Sequence, residues 1–162
     1  MKQQTDKPII AWLLTGCFLV FLMVIIGGIT RLTHSGLSMV EWHLIMGSIP
    51  PLNEAEWQEM FEKYKQFPEF KELNYHFTLK DFKSIFFWEY LHRLLGRLIG
   101  IVFIVPFIYF VSKKMLNREL ILKCLILFGL GALQGLLGWY MVKSGLIKEP
   151  RVSHLRQAAH LI

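Results

Sequence analysis

The chain alternates long uncharged apolar blocks with short polar stretches, and the blocks have the length of membrane-crossing helices. From Pro8 to Ile29 no charged residue occurs, and a bilayer core needs about 20 helical residues to cross. The spacing predicts a first transmembrane helix over 8–29. A cleaved signal peptide is the alternative reading. The run exceeds the roughly 7–15 apolar residues of such a peptide, and Thr30-Arg31-Leu32 follows it instead of a small-x-small cleavage site. A third block, 123–142, is uncharged between Lys123 and Lys143 and predicts another spanning helix. Between them, 84–112 is apolar except for Glu89, His92, Arg93 and Arg97. Ser153 can cap a further helix over 154–162, the start of a fourth span.

The polar segments predict structure of their own. Within 30–83, Pro50-Pro51 stops what precedes, Asn53 can cap a helix, and Glu54 and Glu56 suit its first turn. Trp57, Met60, Phe61 and Tyr64 fall at i, i+3, i+4 and i+7, so an amphipathic helix over about 54–67, lying on the membrane surface, is expected. Thr78 to Asp81 reads as a capping box opening the second transmembrane helix. A helix from there to Ser112 would be about 50 Å long and would protrude beyond the bilayer.

Composition agrees with this reading and removes others. The 162 residues are 54% hydrophobic with a mean hydropathy of +0.41, outside the range of water-soluble domains. Eighteen Lys+Arg against 12 Asp+Glu leave a net charge of +6. The basic residues flank apolar blocks and form no patch interleaved with aromatics, so nucleic acid is not an expected partner. Cys17 and Cys124 both lie inside apolar runs, with no disulfide or zinc-ligand spacing. Fold class is therefore all-α, a polytopic membrane helical bundle of three complete transmembrane helices and the start of a fourth.

Basic residues in short loops are retained in the cytoplasm. Lys2 and Lys7 place the N-terminus inside, and so do Lys113, Lys114, Arg118 and Lys123 for the link after the second span. Residues 30–84, with six Lys/Arg against eight Asp/Glu, suit an outer loop. The link after the third span breaks the rule, carrying Lys143, Lys148, Arg151 and Arg156 against Glu149 alone. Stranded positive charge suggests that an anionic group is held there, with lipid headgroups as the alternative.

The chemistry-bearing residues cluster on the interrupted helix. At about 100° per residue, Glu89, His92, Arg93, Gly96 and Gly100 share an arc of about 100°, with Arg97 at its edge. Ionisable groups at membrane depth are costly unless paired, and Glu89 and Arg93 stand at i, i+4 for an ion pair. Gly96/Gly100 and Gly131/Gly135, with Gln134 and Gly138 alongside, form small-residue stripes that suit helix packing first and a flat cofactor second. Of six histidines, only His92 and His160 fall in predicted transmembrane helices, both towards the outer side. Two imidazoles from separate helices with cations nearby suit a bis-histidine haem whose propionates meet Arg93, Arg97, Arg151 or Arg156, with Arg31 a further candidate. A di-iron site also uses Glu-x-x-His, but it needs a second such motif.

A series of motifs covers nearly the whole chain, from Gly27-Gly28-Ile29-Thr30-Arg31-Leu32-Thr33, Ser35-Gly36-Leu37-Ser38-Met39, Trp42, Pro50-Pro51-Leu52, Tyr64, Pro68-Glu69 and Phe82-Lys83. They continue through Glu89-Tyr90, His92-Arg93, Gly96-Arg97, Gln134-Gly135, Gly138-Trp139-Tyr140-Met141-Val142, Val152-Ser153, Arg156 and His160-Leu161. The resemblance they carry is to the haem A synthases of the respiratory-oxidase assembly pathway. It implies one half of a pseudo-repeated pair of four-helix bundles, with haem O as substrate between His92 and His160. It further implies Glu89 as the acidic residue of turnover, and a haem b in a C-terminal half beyond Ile162, without which the fragment is expected to be inactive. Some relatives carry a cysteine pair in the first outer loop; this chain has none there, so no thiol chemistry is carried over. His154 is expected at the surface or on the propionate side. Expected partners are the lipid bilayer, the haem O synthase and oxidase assembly factors, with a homo-oligomer compatible; the expected location is the bacterial cytoplasmic membrane. The alternatives are a membrane b-type cytochrome that passes electrons without methyl oxidation, and a haem-free helical assembly subunit.

Overall fold

The computed structural model describes residues 2–40, 49–148, 151 and 153–161. Trp42, His43, Glu149, Val152 and Ile162 lie outside the described residues. The described chain is all helix and turn: α1 (Lys2–Leu32), α2 (Glu54–Tyr64), α3 (Pro68–Glu72), α4 (Leu79–Ser112), α5 (Arg118–Lys148) and α6 (His154–Leu161). Three of these, α1, α4 and α5, are long and apolar enough to cross a membrane. Their outward faces carry exposed Leu14, Phe18, Val24, Ile101, Ile108, Leu133 and Leu136. Such continuous apolar exposure belongs to a lipid-facing surface, so the fold is a polytopic helical membrane bundle.

α1 and α4 are the main packed pair. Towards one end, Ile9 and Trp12 of α1 meet Phe110 of α4, Leu116 of the following link and Cys124 of α5 in a buried cluster. A polar bond lies within this apolar contact. Pro106 has no N–H to donate to the carbonyl of Val102, four residues earlier. The Trp12 indole Nε1 donates to that carbonyl at 2.9 Å, so the backbone group that proline frees inside the membrane is satisfied by the neighbouring helix.

At the other end the outer segment packs on the protruding turns of α4. Asn53 caps α2 by accepting from the Glu56 amide, and Thr78 with Asp81 forms the capping box that starts α4. The expected helix over 54–67 is one element that ends three residues early, and α3 is a separate short helix beyond it. α2 ends at Tyr64, and α3 begins at Pro68, whose fixed φ suits a first helical position. The apolar stripe of α2 is covered by protein. Phe61 and Tyr64 are buried with Met39, Phe82, Ile85 and Phe86, and Trp57 and Met60 pack against the same cluster. The first turns of α4 supply an aromatic partner surface, and burial against protein aromatics replaces burial among lipid headgroups.

Candidate functional site

The site is assembled where α1 turns back onto α4. α1 closes with Ser35 N donating to Thr30 O at 2.9 Å and His34 N to Arg31 O at 3.2 Å. His34 sits at φ 53, the left-handed position of a Schellman cap that glycine usually fills. Thr30 Oγ1 reaches the Ile26 carbonyl at 2.8 Å and that of Trp88 on α4 at 3.3 Å. The turn thus delivers the segment Ser35–Met39 against α4, with Ser35, Leu37, Ser38 and Met39 buried.

That segment closes over Glu89, which is 3% exposed. Ser38 Oγ donates to Glu89 Oε2 at 2.7 Å and the Met39 amide donates to the same oxygen at 2.8 Å. Arg93 Nη2 donates to Oε1, forming the expected i, i+4 ion pair, and also to the Met39 carbonyl at 3.2 Å. A carboxylate withdrawn from water is tolerated when a cation and further donors replace its hydration. Glu89 has both.

His92, one turn beyond Glu89, is half-buried and rests on α1. A Cβ placed on Gly27 would lie 3.3 Å from His92 Nε2. His160 of α6 is seated likewise on α5, where a Cβ on Gly138 would lie 2.9 Å from its Cε1. His92 lies within electrostatic range of His160, Glu89 and Arg93. Among the described residues, Gln134 Oε1 is buried and meets no hydrogen-bond partner, and the His160 ring has the Gln134 backbone as its polar neighbour. Among the described residues no group of three or more His, Cys, Asp or Glu is placed to hold a metal ion. A haem needs only axial ligands from the protein, because the porphyrin fills the equatorial positions. The two glycine-seated imidazoles fit such a group.

The remaining basic residues are more dispersed. Arg97 follows Arg93 by one turn and is half-buried. Arg156 lies over the Tyr140 ring at 5.5 Å and Lys143 over Trp139 at 4.8 Å, so both are held to the α5 surface by cation–π contact. Arg151, Arg31 and His154 are exposed. Gly131, Gly135 and Gly100 have open space where a Cβ would be, so those stripe positions pack no helix here.

Two features escaped the sequence reading. Ser38 and the Met39 amide hold Glu89, yet a serine and a backbone N–H are too common to signal a role by type. A second buried carboxyl, Glu69, accepts from Tyr64 Oη at 3.0 Å, while Asn74 Nδ2 donates to that hydroxyl at 2.8 Å. Glu69 is 6% exposed. Burial, with a smaller contribution from the Glu89 charge, pushes its carboxyl up to about 8 against the lowering effect of Tyr64, and burial raises the Tyr64 hydroxyl as well.

Comparison with known proteins places this geometry in context. A protein of Flavobacterium psychrophilum described as haem A synthase is 62% identical over 160 residues, covering 98% of this chain and 47% of its own length. A Nitrosospira multiformis protein of the same description is 54% identical over 167 residues, covering 99% and 47%. One from Rickettsia bellii is 51% identical over 157 residues, covering 97% and 47%. The chain therefore spans about half the length of the curated relatives it matches. No solved structure matches it. The family described as cytochrome oxidase assembly protein, COX15-CtaA, matches residues 10–162. On that match and those identities, the chain belongs to the COX15-CtaA family of cytochrome oxidase assembly proteins.

Proposed function

We propose that the chain is the N-terminal half of a haem A synthase, an oxidoreductase that converts a methyl group of haem O to the formyl group of haem A. The observation that carries this reading is the donor-saturated carboxylate of Glu89 one turn from His92, with His160 of a separate helix within range of that imidazole. His92 and His160 would hold the substrate haem through their imidazoles. Arg97, Arg151 and Arg156 are the propionate partners, and Arg93 divides its donors between Glu89 and that task. The iron, when haem is bound, supplies the redox chemistry.

Glu89 provides fixed negative charge beside the reacting methyl, favouring positive charge that develops as electrons leave. Ser38, Met39 and Arg93 hold that charge in place, so no reorganisation is needed at the moment of reaction. Haem b belongs to the companion half, and the enzyme that makes haem O and the oxidase assembly factors are its partners. The N-terminus lies in the cytoplasm of a bacterial cell, with 30–84 and 143–152 on the outer side of the cytoplasmic membrane.

One observation favours a second reading, a b-type cytochrome that passes electrons only. Both oxygens of Glu89 are already engaged, as in a purely structural clamp. Glu89→Gln in the complete protein separates the two, with the haem extracted and resolved by chromatography. Retained haem O with at least a ~100-fold fall in haem A is expected, a typical loss for one electrostatic catalytic group. Ser38→Ala, which removes one donor and keeps the charge, should retain most conversion. Normal haem A with Glu89→Gln would reduce Glu89 to the clamp, and loss of all haem would make it a binding residue.

A further inference from the structure

Two buried carboxyls lie within electrostatic range of one another, Glu89 on α4 and Glu69 on α3, and their surroundings differ. Glu89 has Arg93, the Ser38 hydroxyl and the Met39 amide to replace its hydration. Glu69 has the Tyr64 hydroxyl, and what acts on it is its burial, that donor and the charge of Glu89. Of the other charged groups around it, Lys71 and Glu72 on α3 are exposed and Lys63 on α2 is paired with Glu59. Lys143 on α5, a helix that also packs against α3, lies over the Trp139 ring. When two carboxyls share a poorly solvated region, the one with fewer donors keeps its proton. Here that one is Glu69, its carboxyl pushed up to about 8.

The Tyr64–Glu69 pair is also tied to the hold on Glu89. Asn74 donates from Nδ2 to Tyr64 Oη at 2.8 Å and from its amide to the Glu69 carbonyl at 3.0 Å. Together with the Tyr64–Glu69 bond, these close a loop that fixes α3 to the end of α2. The Tyr64 ring shares a buried cluster with Met39, whose amide donates to Glu89 and whose carbonyl accepts from Arg93. We propose that Tyr64 and Glu69 are positioning residues for Glu89: with Glu69 neutral they seat α2 and α3 on Met39 and so keep its amide on the Glu89 carboxylate, and a negative Glu69 releases that hold. A second anion would face Glu89 across a medium of low dielectric, where like charges repel strongly. α3, a helix of five residues, relieves that repulsion by carrying Glu69 towards water. The effect on conversion rests on the reading of Glu89 as the charge beside the reacting methyl, whereas the effect on the Met39 amide does not.

The test uses the complete protein in its membranes and two readouts between pH 7 and pH 9: exchange of the Met39 amide, corrected for its intrinsic rate, and formation of haem A from haem O. The charged share of a group titrating near 8 rises about 10-fold across that interval. Met39 exchange should therefore rise by about 10-fold in the parent, and haem A formation should fall by about as much. Glu69→Gln still accepts from Tyr64 and cannot ionise, so it should flatten both profiles. Tyr64→Phe removes a donor that favours the charged form of Glu69 and should move the Met39 transition to higher pH. A merely structural loss would loosen Met39 at every pH without moving the transition. A Met39 transition that persists in Glu69→Gln, or that Tyr64→Phe leaves at its original pH, overturns the proposal. If Glu69→Gln abolishes the Met39 transition while haem A formation in the parent stays level with pH, the positioning role stands and the reading of Glu89 in conversion fails.

Discussion

Glycine at 27 and 138 has a specific reason in this protein: each position is occupied on its open side by an imidazole. Helical glycine ordinarily costs about 0.5–1 kcal/mol relative to alanine, so alanine should stabilise wherever there is room. At Gly138 there is none, because the new methyl would stand 2.9 Å from His160 Cε1. Gly138→Ala is expected to displace His160 and to lower haem occupancy of the complete protein by about 10-fold or more, the scale on which disturbed ligand support acts. Gly131→Ala, facing open space, should leave occupancy unchanged and raise the thermal midpoint slightly. Haem-to-protein ratios of the two variants, measured side by side, decide the matter.

Helix pairs are joined by features that only their mutual placement explains. Trp12 and Pro106 are separated by most of the chain, yet the indole of one satisfies the carbonyl freed by the other. Trp12→Phe should therefore cost about 1–3 kcal/mol, the penalty of an unsatisfied buried carbonyl. Pro106→Ala supplies the missing helical N–H and should suppress much of that loss; thermal unfolding of the two single variants and the double variant gives the coupling. The α2–α3 layer carries a different sensitivity. Glu69 has its carboxyl pushed up to about 8 from an ordinary 4.5, so the folded layer holds a proton that the unfolded chain releases across that window. Its contribution to stability is complete below roughly pH 4.5 and is lost as pH rises through about 8. Amide exchange of residues 61–74, corrected for intrinsic rates, should accelerate from pH 6 to 9, and Glu69→Gln should flatten that trend. A layer equally protected at both ends of the range would mean that Glu69 ionises without cost.

For the molecule as a whole, the two buried clusters lie at opposite ends of the α1–α4 pair, and the long helices between them present apolar residues outward. The proposed topology puts α2 outside and the α4–α5 link inside. Trp57 is packed against Phe86 at 5.0 Å between ring centroids, so the exposed neighbour Gln58 is the better labelling position. A membrane-impermeant thiol reagent applied to intact cells should modify Gln58→Cys and spare Lys113→Cys, whose labelling requires opened membranes. The reverse pattern would invert the molecule.

The three spanning helices, the capped start of α4, the Asn53 cap and the Glu89–Arg93 pair were legible in the sequence, because each depends on contacts within about four residues or on the length of an apolar run. The clamp of Ser38 and Met39 on Glu89 was not, since its members are 51 and 50 residues away and are common residue types. Nor was the destination of the α2 stripe: periodicity reports that a face is apolar and is silent on whether lipid or protein covers it. Pairing Trp12 with Val102, and seating the His92 and His160 rings on Gly27 and Gly138, likewise required the helices to be placed beside one another. Local periodicity, caps and hydrophobic length are properties of the chain alone, whereas a buried polar group is satisfied only by whatever the tertiary structure brings to it.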